Sequence, residues 1–101
     1  MLALPISIPQ PELTQFCQAN QIKKLSLFGS VLTPRFHAES DVDILVEFIP
    51  QFTPSLLDLV RLESKLSSLI GRKVDLKTPS ELSRYFRDQV LNEALPQYEQ
   101  R

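Results

Sequence analysis

The sequence predicts a single α/β or α+β domain built around a small sheet. Three observations lead to this fold class. The chain has 101 residues, which is the usual size of one domain. Apolar residues make up 43% of it and charged residues 23%, as in ordinary globular domains. Segments with the apolar spacing of helices alternate along the chain with short segments that alternate as strands do.

The first half of the chain predicts a lead-in, a helix and a strand. Residues 1–10, with Pro5 and Pro9, predict an extended segment. Pro11 suits the first turn of a helix, and an apolar stripe predicts that this helix covers about 11–20. Residues 24–28 alternate polar and apolar side chains, which predicts a strand. We therefore expect the strand to end at Gly29-Ser30, followed by a short helix or loop over 31–40.

The second half predicts two more strands and two helices, in the overall order α-β-(α)-β-α-β-α. Residues 42–49 give the strongest strand pattern. An amphipathic helix is expected over about 55–70, with Gly71 at the usual C-terminal cap position. Residues 73–77 predict a strand. A last helix is expected from near Pro79 to Pro96, which leaves 96–101 as a tail.

Charge and composition exclude several classes of function. The net charge is −1, so we expect no direct binding to nucleic acid and none to membranes. With two glycines and no Gly-Lys-Ser/Thr, neither a dinucleotide fingerprint nor a P-loop is possible. One cysteine and one histidine exclude an internal disulfide and a His- or Cys-rich metal site, which fits a reducing, cytoplasmic location.

Three aspartates form the candidate metal site. Asp41 and Asp43 are two residues apart at the start of a predicted strand, so both carboxylates lie on one face. Asp75 would join them if strands 42–49 and 73–77 are neighbours. Magnesium prefers oxygen ligands, and three carboxylates around one or two metal ions suit phosphoryl or nucleotidyl transfer. The alternative is that Asp41 is a turn residue and the other two are exposed strand residues.

Gly29 and Ser30 are candidate phosphate ligands at the end of the first strand. Backbone N–H groups and a hydroxyl at such a turn can bind an anion. Gly29 would also allow a triphosphate to approach the backbone closely. The alternative interpretation is a tight turn with no ligand.

The combination of these features resembles a known signature. Phe28-Gly29-Ser30, ten further residues and then Asp41-Val42-Asp43 resemble the polymerase-beta-type nucleotidyltransferase superfamily. LSLFGSVLTPRFHAESDVDILVEF is most similar to its minimal nucleotidyltransferase (MNT) branch, and GRKVDLKTPSELSRYFRDQVLNEA places Asp75 at the third carboxylate of that branch. The resemblance covers about residues 20–95. Members often carry Arg and Gly soon after Gly-Ser, whereas here Arg35 comes late.

The resemblance implies a fold and a reaction. The fold would be a small mixed sheet with helices mainly on one face and the metal site on the other. The reaction would be transfer of AMP from ATP to a hydroxyl. Asp41, Asp43 and Asp75 would ligate Mg²⁺, and Asp75 would ligate a second metal or help to deprotonate the acceptor. Gly29 and Ser30 would hold the β- and γ-phosphates.

The resemblance also implies a partner. MNT proteins of this kind act as antitoxins of a helical HEPN toxin, and some transfer AMP to a tyrosine of that toxin. The chain is therefore interpreted as a protein adenylyltransferase in a homo- or hetero-oligomer. One alternative is an antitoxin that neutralises its toxin by binding alone. Another is a small-molecule nucleotidyltransferase, which usually needs a longer chain to form its acceptor pocket.

A few other residues have two interpretations. Phe86 is expected in the core, while Arg84 and Arg87 either lie on a solvated face or contact a partner or nucleotide. His37 is expected to be a solvated loop residue rather than a catalytic base. Cys17, on an apolar stripe, is expected to be a buried filler.

Overall fold

The structure, a computed structural model, describes residues 4–100 of the chain. Residues 1–3 of the expected lead-in therefore lie outside the described part, and residues 4–9 precede the first helix. Within the described part the regular elements follow one another as α1 (Gln10–Ala19), β1 (Ile22–Phe28), a 3₁₀ helix (Gly29–Leu32), β2 (Val42–Phe48), α2 (Leu56–Ile70), β3 (Val74–Lys77), a second 3₁₀ helix (Pro79–Glu81), α3 (Arg87–Glu93) and β4 (Leu95–Glu99).

The strands form one mixed sheet in the order β3-β2-β1-β4. β2 and β3 are parallel, while β1 is antiparallel to both β2 and β4. The strands that carry Asp43 and Asp75 are thus neighbours, as the predicted site of three aspartates requires. The register places Asp43 opposite Asp75 on one side and opposite Phe28 on the other.

The hydrophobic core lies between one face of the sheet and the helices α1 and α2. α1 contributes Leu13 and Cys17, and burial raises the pKa of the Cys17 thiol to about 12. α2 contributes Leu62, Leu66 and Ile70. Burying each of the large aliphatic side chains stabilises the fold by about 1.5–3 kcal/mol. The sheet contributes alternate residues of its strands, namely Leu25, Leu27, Val42, Ile44, Val46, Val74 and Leu76.

The bounds of α2, Leu56–Ile70, agree with the predicted helix over about 55–70, and Gly71 lies at the predicted C-terminal cap position. The Ser55 hydroxyl accepts a hydrogen bond from the Asp58 N–H (3.1 Å), and the Asp58 carboxylate accepts one from the Ser55 N–H (2.8 Å). This capping box holds the pKa of Asp58 below its usual range, chiefly through the backbone hydrogen bond from Ser55. Gly71 ends the helix with φ +76°, a left-handed conformation that favours glycine.

The apolar stripe of α2 is narrower than the sequence suggests. Leu56, Leu57 and Val60 are 78%, 61% and 54% exposed. At 100° per residue they lie roughly 120–160° around the helix from Leu62, which faces the sheet. The first turns of α2 therefore present apolar side chains to solvent.

The last quarter of the chain differs from the prediction. One helix from Pro79 to Pro96 was expected, but the extended backbone of Leu82 (ψ 140°) ends the first turn, and α3 begins only at Arg87. The expected tail 96–101 is also wrong for residues 96–99, which belong to β4. Pro96 is tolerated because β4 is an edge strand, where no partner requires its missing N–H.

The opposite edge of the sheet, at β3, is covered by side chains of α2. The Ser67 hydroxyl accepts a hydrogen bond from the Val74 N–H (3.0 Å), and a Glu63 carboxylate oxygen accepts one from the Leu76 N–H (2.9 Å). These N–H groups alternate with those that face β2. α2 therefore satisfies the outer backbone groups of β3 as well as packing on the sheet.

Glu63→Ala is expected to lower the free energy of unfolding by about 1–3 kcal/mol, because the Leu76 N–H loses a charged acceptor. Glu63→Gln is the matched control and should lose less, since its amide oxygen can still accept the bond. Urea denaturation of both variants measures the difference. Equal stability of Glu63→Ala and the wild type would contradict this role for Glu63.

Candidate functional site

The candidate site lies on the face of the sheet opposite α1 and α2. Side chains of a strand alternate between faces, so Asp43 points away from the core to which Val42 and Ile44 belong. Asp75 is in register with Asp43 on the neighbouring strand, and paired strands are about 4.8 Å apart. The structure thus brings Asp43 and Asp75 together on one face, with Asp41 two residues before Asp43.

The electrostatics of Asp43 reflect this crowding. Its pKa is raised, first by burial and then by the negative charges of Asp75 and Asp41. The charge of Lys77 and a hydrogen bond from the Ser30 N–H act in the opposite direction and lower the pKa. Both of the other predicted carboxylates are therefore close enough to influence Asp43, and a cation placed among the three would relieve their repulsion.

Two of the carboxylates pair with lysines. Asp75 lies 3.6 Å from the Lys77 ammonium, and Asp41 lies 3.9 Å from that of Lys73. All four side chains are at least 41% exposed, so water screens both pairs and each contributes little stability. Lys77 was not singled out from the sequence, although its position two residues after Asp75 places it on the same face.

A metal ion requires some rearrangement of these side chains. Among residues 4–100, no group of three or more His, Cys, Asp or Glu side chains lies close enough, as placed, to hold a metal ion. Carboxylate oxygens are nevertheless the donors that Mg²⁺ prefers. Because the lysine pairs are weak, a divalent cation can replace the ammonium groups. The donor set therefore fits Mg²⁺, and ligation by Asp41, Asp43 and Asp75 stays a prediction.

Gly29 is required where the first strand meets the site. Its φ is +75°, in the left-handed region. A Cβ at residue 29 would also lie 3.2 Å from Cγ of Asp43 and closer still to its Oδ2. Glycine is therefore the residue that lets β1 end directly against the Asp43 carboxylate. Ser30 follows in the 3₁₀ helix, which the buried side chain of Val31 anchors.

A cleft of about 630 Å³ opens beside Gly29 and Ser30. One wall comes from the 3₁₀ helix and Arg35, and the other from Phe86 and residues of α3. Phe86 is 60% exposed, so its predicted place in the core is wrong. Phe86 is the residue that precedes α3, and α3 itself buries none of its residues. The lining residues are Phe28, Gly29, Ser30, Leu32, Thr33, Arg35, Phe86, Gln89, Val90 and Glu93.

Three other residues of interest have structural contacts. The Arg87 guanidinium donates to the carbonyls of Pro79 (2.9 Å) and Leu82 (3.0 Å), which fixes the segment before α3. The Arg84 guanidinium is exposed and lies 5.3 Å from the centre of the Tyr85 ring. His37 is an exposed loop residue, as predicted, and its Nδ1 accepts the Glu39 N–H.

Comparison with known sequences identifies relatives over most of the chain. Residues 12–96 match the family model described as a nucleotidyltransferase domain. A protein of Methanocaldococcus jannaschii, provisionally named a protein adenylyltransferase, is 42% identical over 74 residues, which are 73% of this chain and 77% of that protein. Protein adenylyltransferase MntA of Thermococcus cleftensis is 38% identical over 74 residues, 73% of each chain.

Solved structures have a similar fold. A chain provisionally described as a minimal nucleotidyltransferase has a TM-score of 0.70 and 34% identity, covering 86% of this chain and 87% of the other. A chain of a toxin–antitoxin complex with AMP-PNP has a TM-score of 0.72 and 23% identity, covering 93% and 76%. A chain of the complex between the tri-AMPylated Shewanella oneidensis HEPN toxin and its MNT antitoxin has a TM-score of 0.64 and 22% identity, covering 90% and 70%.

Gly29→Ala is expected to be more damaging than Gly71→Ala, which is its matched control. Both glycines have nearly the same positive φ, so both substitutions carry a backbone penalty of about 1–2 kcal/mol. A Cβ at residue 71 meets nothing within 4 Å, whereas one at residue 29 meets Asp43. Urea denaturation should show a larger loss of stability for Gly29→Ala than for Gly71→Ala. ATP titration should show loss of binding for Gly29→Ala only. Equal effects on both would contradict the contact.

Asp43→Asn is expected to leave the metal-free melting temperature at pH 7 unchanged or higher. A raised carboxyl pKa means that the folded protein becomes less stable as the pH rises through that pKa. The variant removes this charge, so its advantage should shrink as the pH falls and Asp43 becomes protonated. Mg²⁺ should raise the melting temperature of the wild type and not that of the variant. Thermal melts with Mg²⁺ or EDTA test this, and an equal Mg²⁺ response of both proteins would contradict it.

Proposed function

The chain belongs to the nucleotidyltransferase domain family, as a member of the minimal (MNT) branch and a transferase enzyme, and from this we propose that it is a Mg²⁺-dependent protein adenylyltransferase. Its substrate would be ATP, and the acceptor a hydroxyl of a HEPN-type toxin, with tyrosine as the expected residue. The transfer would make the chain an antitoxin in the cytoplasm. The observation that carries the proposal is that Asp43 is in register with Asp75 on one side and lies close to Gly29 on the other.

The site residues suggest how ATP would lie. Across the sheet the order is Gly29 at the end of β1, then Asp43 on β2, then Asp75 on β3. The Gly29 backbone and the Ser30 hydroxyl would bind the β- and γ-phosphates, with the α-phosphate over Asp43. Asp41, Asp43 and Asp75 would hold Mg²⁺, which would supply the positive charge that neutralises and orients the triphosphate.

Asp75 would act on the acceptor. It lies at the far side of Asp43 from Gly29, so the incoming hydroxyl would approach from the β3 edge. The Asp75 carboxylate would accept the hydroxyl proton as the oxygen forms a bond to the α-phosphorus. The bond from that phosphorus to the bridging oxygen would break, and pyrophosphate would leave past Gly29 and Ser30.

The similar proteins support the choice of nucleotide and partner. The Thermococcus cleftensis relative is named a protein adenylyltransferase. One similar structure is a toxin–antitoxin complex with AMP-PNP, and another contains an AMPylated HEPN toxin with its MNT antitoxin. Among residues 4–100, no helix has the length and apolar character needed to cross a membrane. The named relative and the two complexes support an ATP-dependent reaction on a protein partner.

Asp41→Asn with Asp43→Asn is expected to reduce AMP transfer by more than about 100-fold, since changes outside a ligand set already cost 10–100-fold. The fold should remain, because both side chains are only partly buried. The assay is transfer of radiolabelled AMP from α-labelled ATP to the proposed HEPN-type toxin partner. Asp88→Asn, an exposed aspartate of α3, is the control.

Toxin neutralisation by the same double variant separates the two antitoxin hypotheses. If neutralisation is lost with AMP transfer, the catalytic antitoxin is supported. If the variant neutralises the toxin as well as the wild type does, binding alone is sufficient and the catalytic proposal is wrong.

A further inference from the structure

The hydrogen bonds within the loop that carries Asp41 all join residues two or three positions apart. Residues 33–41 connect the first 3₁₀ helix to β2 and contain no α-helix or strand. Within the loop, the Ser40 N–H donates to the His37 carbonyl (3.0 Å), and the His37 N–H donates to the Ser40 hydroxyl (3.1 Å). Such local bonds fix the shape of a turn, but they do not fix its place against the sheet. Another contact must therefore determine where Asp41 lies.

Arg72 makes that contact from the other side of the site. It lies between Gly71, which ends α2, and the first residue of β3. One nitrogen of its guanidinium, Nη2, lies 2.8 Å from the Ser40 carbonyl, 3.0 Å from that of His37 and 3.3 Å from that of Ala38. The two N–H groups of Nη2 thus donate to three loop carbonyls, which all point toward this nitrogen.

The face of the same guanidinium covers an aromatic ring of the loop. Cζ of Arg72 lies 4.6 Å from the centre of the Phe36 ring, within the range of a cation–π interaction. The edge of the guanidinium therefore binds carbonyls of residues 37–40, while its face packs on the ring of Phe36. Lysine has no planar group and cannot make both contacts at once.

These contacts hold Asp41 from both sides. The Ser40 carbonyl, which accepts from Arg72, belongs to the peptide group before Asp41. The peptide group after Asp41 carries the Val42 N–H, which donates to the Lys73 carbonyl at 2.8 Å. Two adjacent residues just before β3, Arg72 and Lys73, therefore fix both peptide groups that flank Asp41. Asp75 follows three residues after Arg72 and lies on β3.

We propose that Arg72 is a positioning residue, which ties the Asp41 loop to β3 so that Asp41 and Asp75 are held in one arrangement around the nucleotide and its metal. The inference rests on the proposed function for its effect on catalysis. Its structural part, that Arg72 orders residues 36–42, does not depend on that function. Arg72 touches neither carboxylate and acts only through the backbone.

Arg72→Ala is the test variant, with Arg72→Lys as the conservative variant. The control is Arg61→Ala, which removes an exposed arginine paired with Asp58 at 3.8 Å on α2. The first measurement is amide hydrogen exchange by NMR in the metal-free full chain. Exchange should rise at residues 36–42 in Arg72→Ala, remain unchanged in the α2 and β1 amides, and be unaffected by Arg61→Ala.

The second measurement is AMP transfer at a temperature where each variant is fully folded. Arg72→Ala should lose about 10–100-fold in activity and require more Mg²⁺ for half of its maximal rate. Arg72→Lys should lie between Arg72→Ala and the wild type. Free guanidinium at millimolar concentration should restore part of the activity of Arg72→Ala, which would not happen if the residue only added to overall stability.

The outcomes separate this inference from the proposed function. Wild-type exchange at residues 36–42 in Arg72→Ala would overturn the inference, as would increased exchange spread over the whole protein or unchanged transfer with unchanged Mg²⁺ dependence. If the wild type itself transfers no AMP, the proposed function fails. A local rise in exchange would then still support Arg72 as the residue that orders the Asp41 loop.

Discussion

The parallel register between β2 and β3 is the constraint on which both the core and the candidate site depend. It pairs Val42 with Val74 and Ile44 with Leu76 on the core face, and the same alignment pairs Asp43 with Asp75 on the opposite face. A shift by one residue would move apolar side chains into water and carboxylates into the core. The free energy gained by burying the apolar pairs therefore also holds the two acidic groups together against their mutual repulsion.

This constraint explains why much of the fold was predictable. Alternation along residues 42–49 assigns Asp43 to the face away from the core, and the box of Ser55 with Asp58 and the left-handed Gly71 delimit α2. These are local signals, expressed within a few residues of the chain. Asp43 and Asp75 share one face once the two parallel strands are neighbours, and Gly29 lies beside Asp43 because β1 pairs with β2.

The remainder depended on contacts between distant residues. β4 is only five residues long and includes a proline, so its sequence does not indicate a strand. It becomes a strand because it pairs with the free edge of β1. α3 starts late, after a segment with extended backbone at Leu82 that Arg87 binds through the carbonyls of Pro79 and Leu82. Phe86 therefore lies beside a cleft instead of inside the core. In the sequence, Arg72 is marked only as part of a short basic pair with Lys73. Its role depends on contacts with a loop more than thirty residues earlier in the chain.

The cover that α2 provides for β3 affects how copies of the chain behave toward one another. An open strand edge is a template on which other chains add strands, and this is a common route to aggregation. Here Ser67 and Glu63 occupy the outward N–H groups at one edge, and Pro96 removes an N–H at the other. The helix that builds the core therefore also helps to keep the folded chains apart at high concentration.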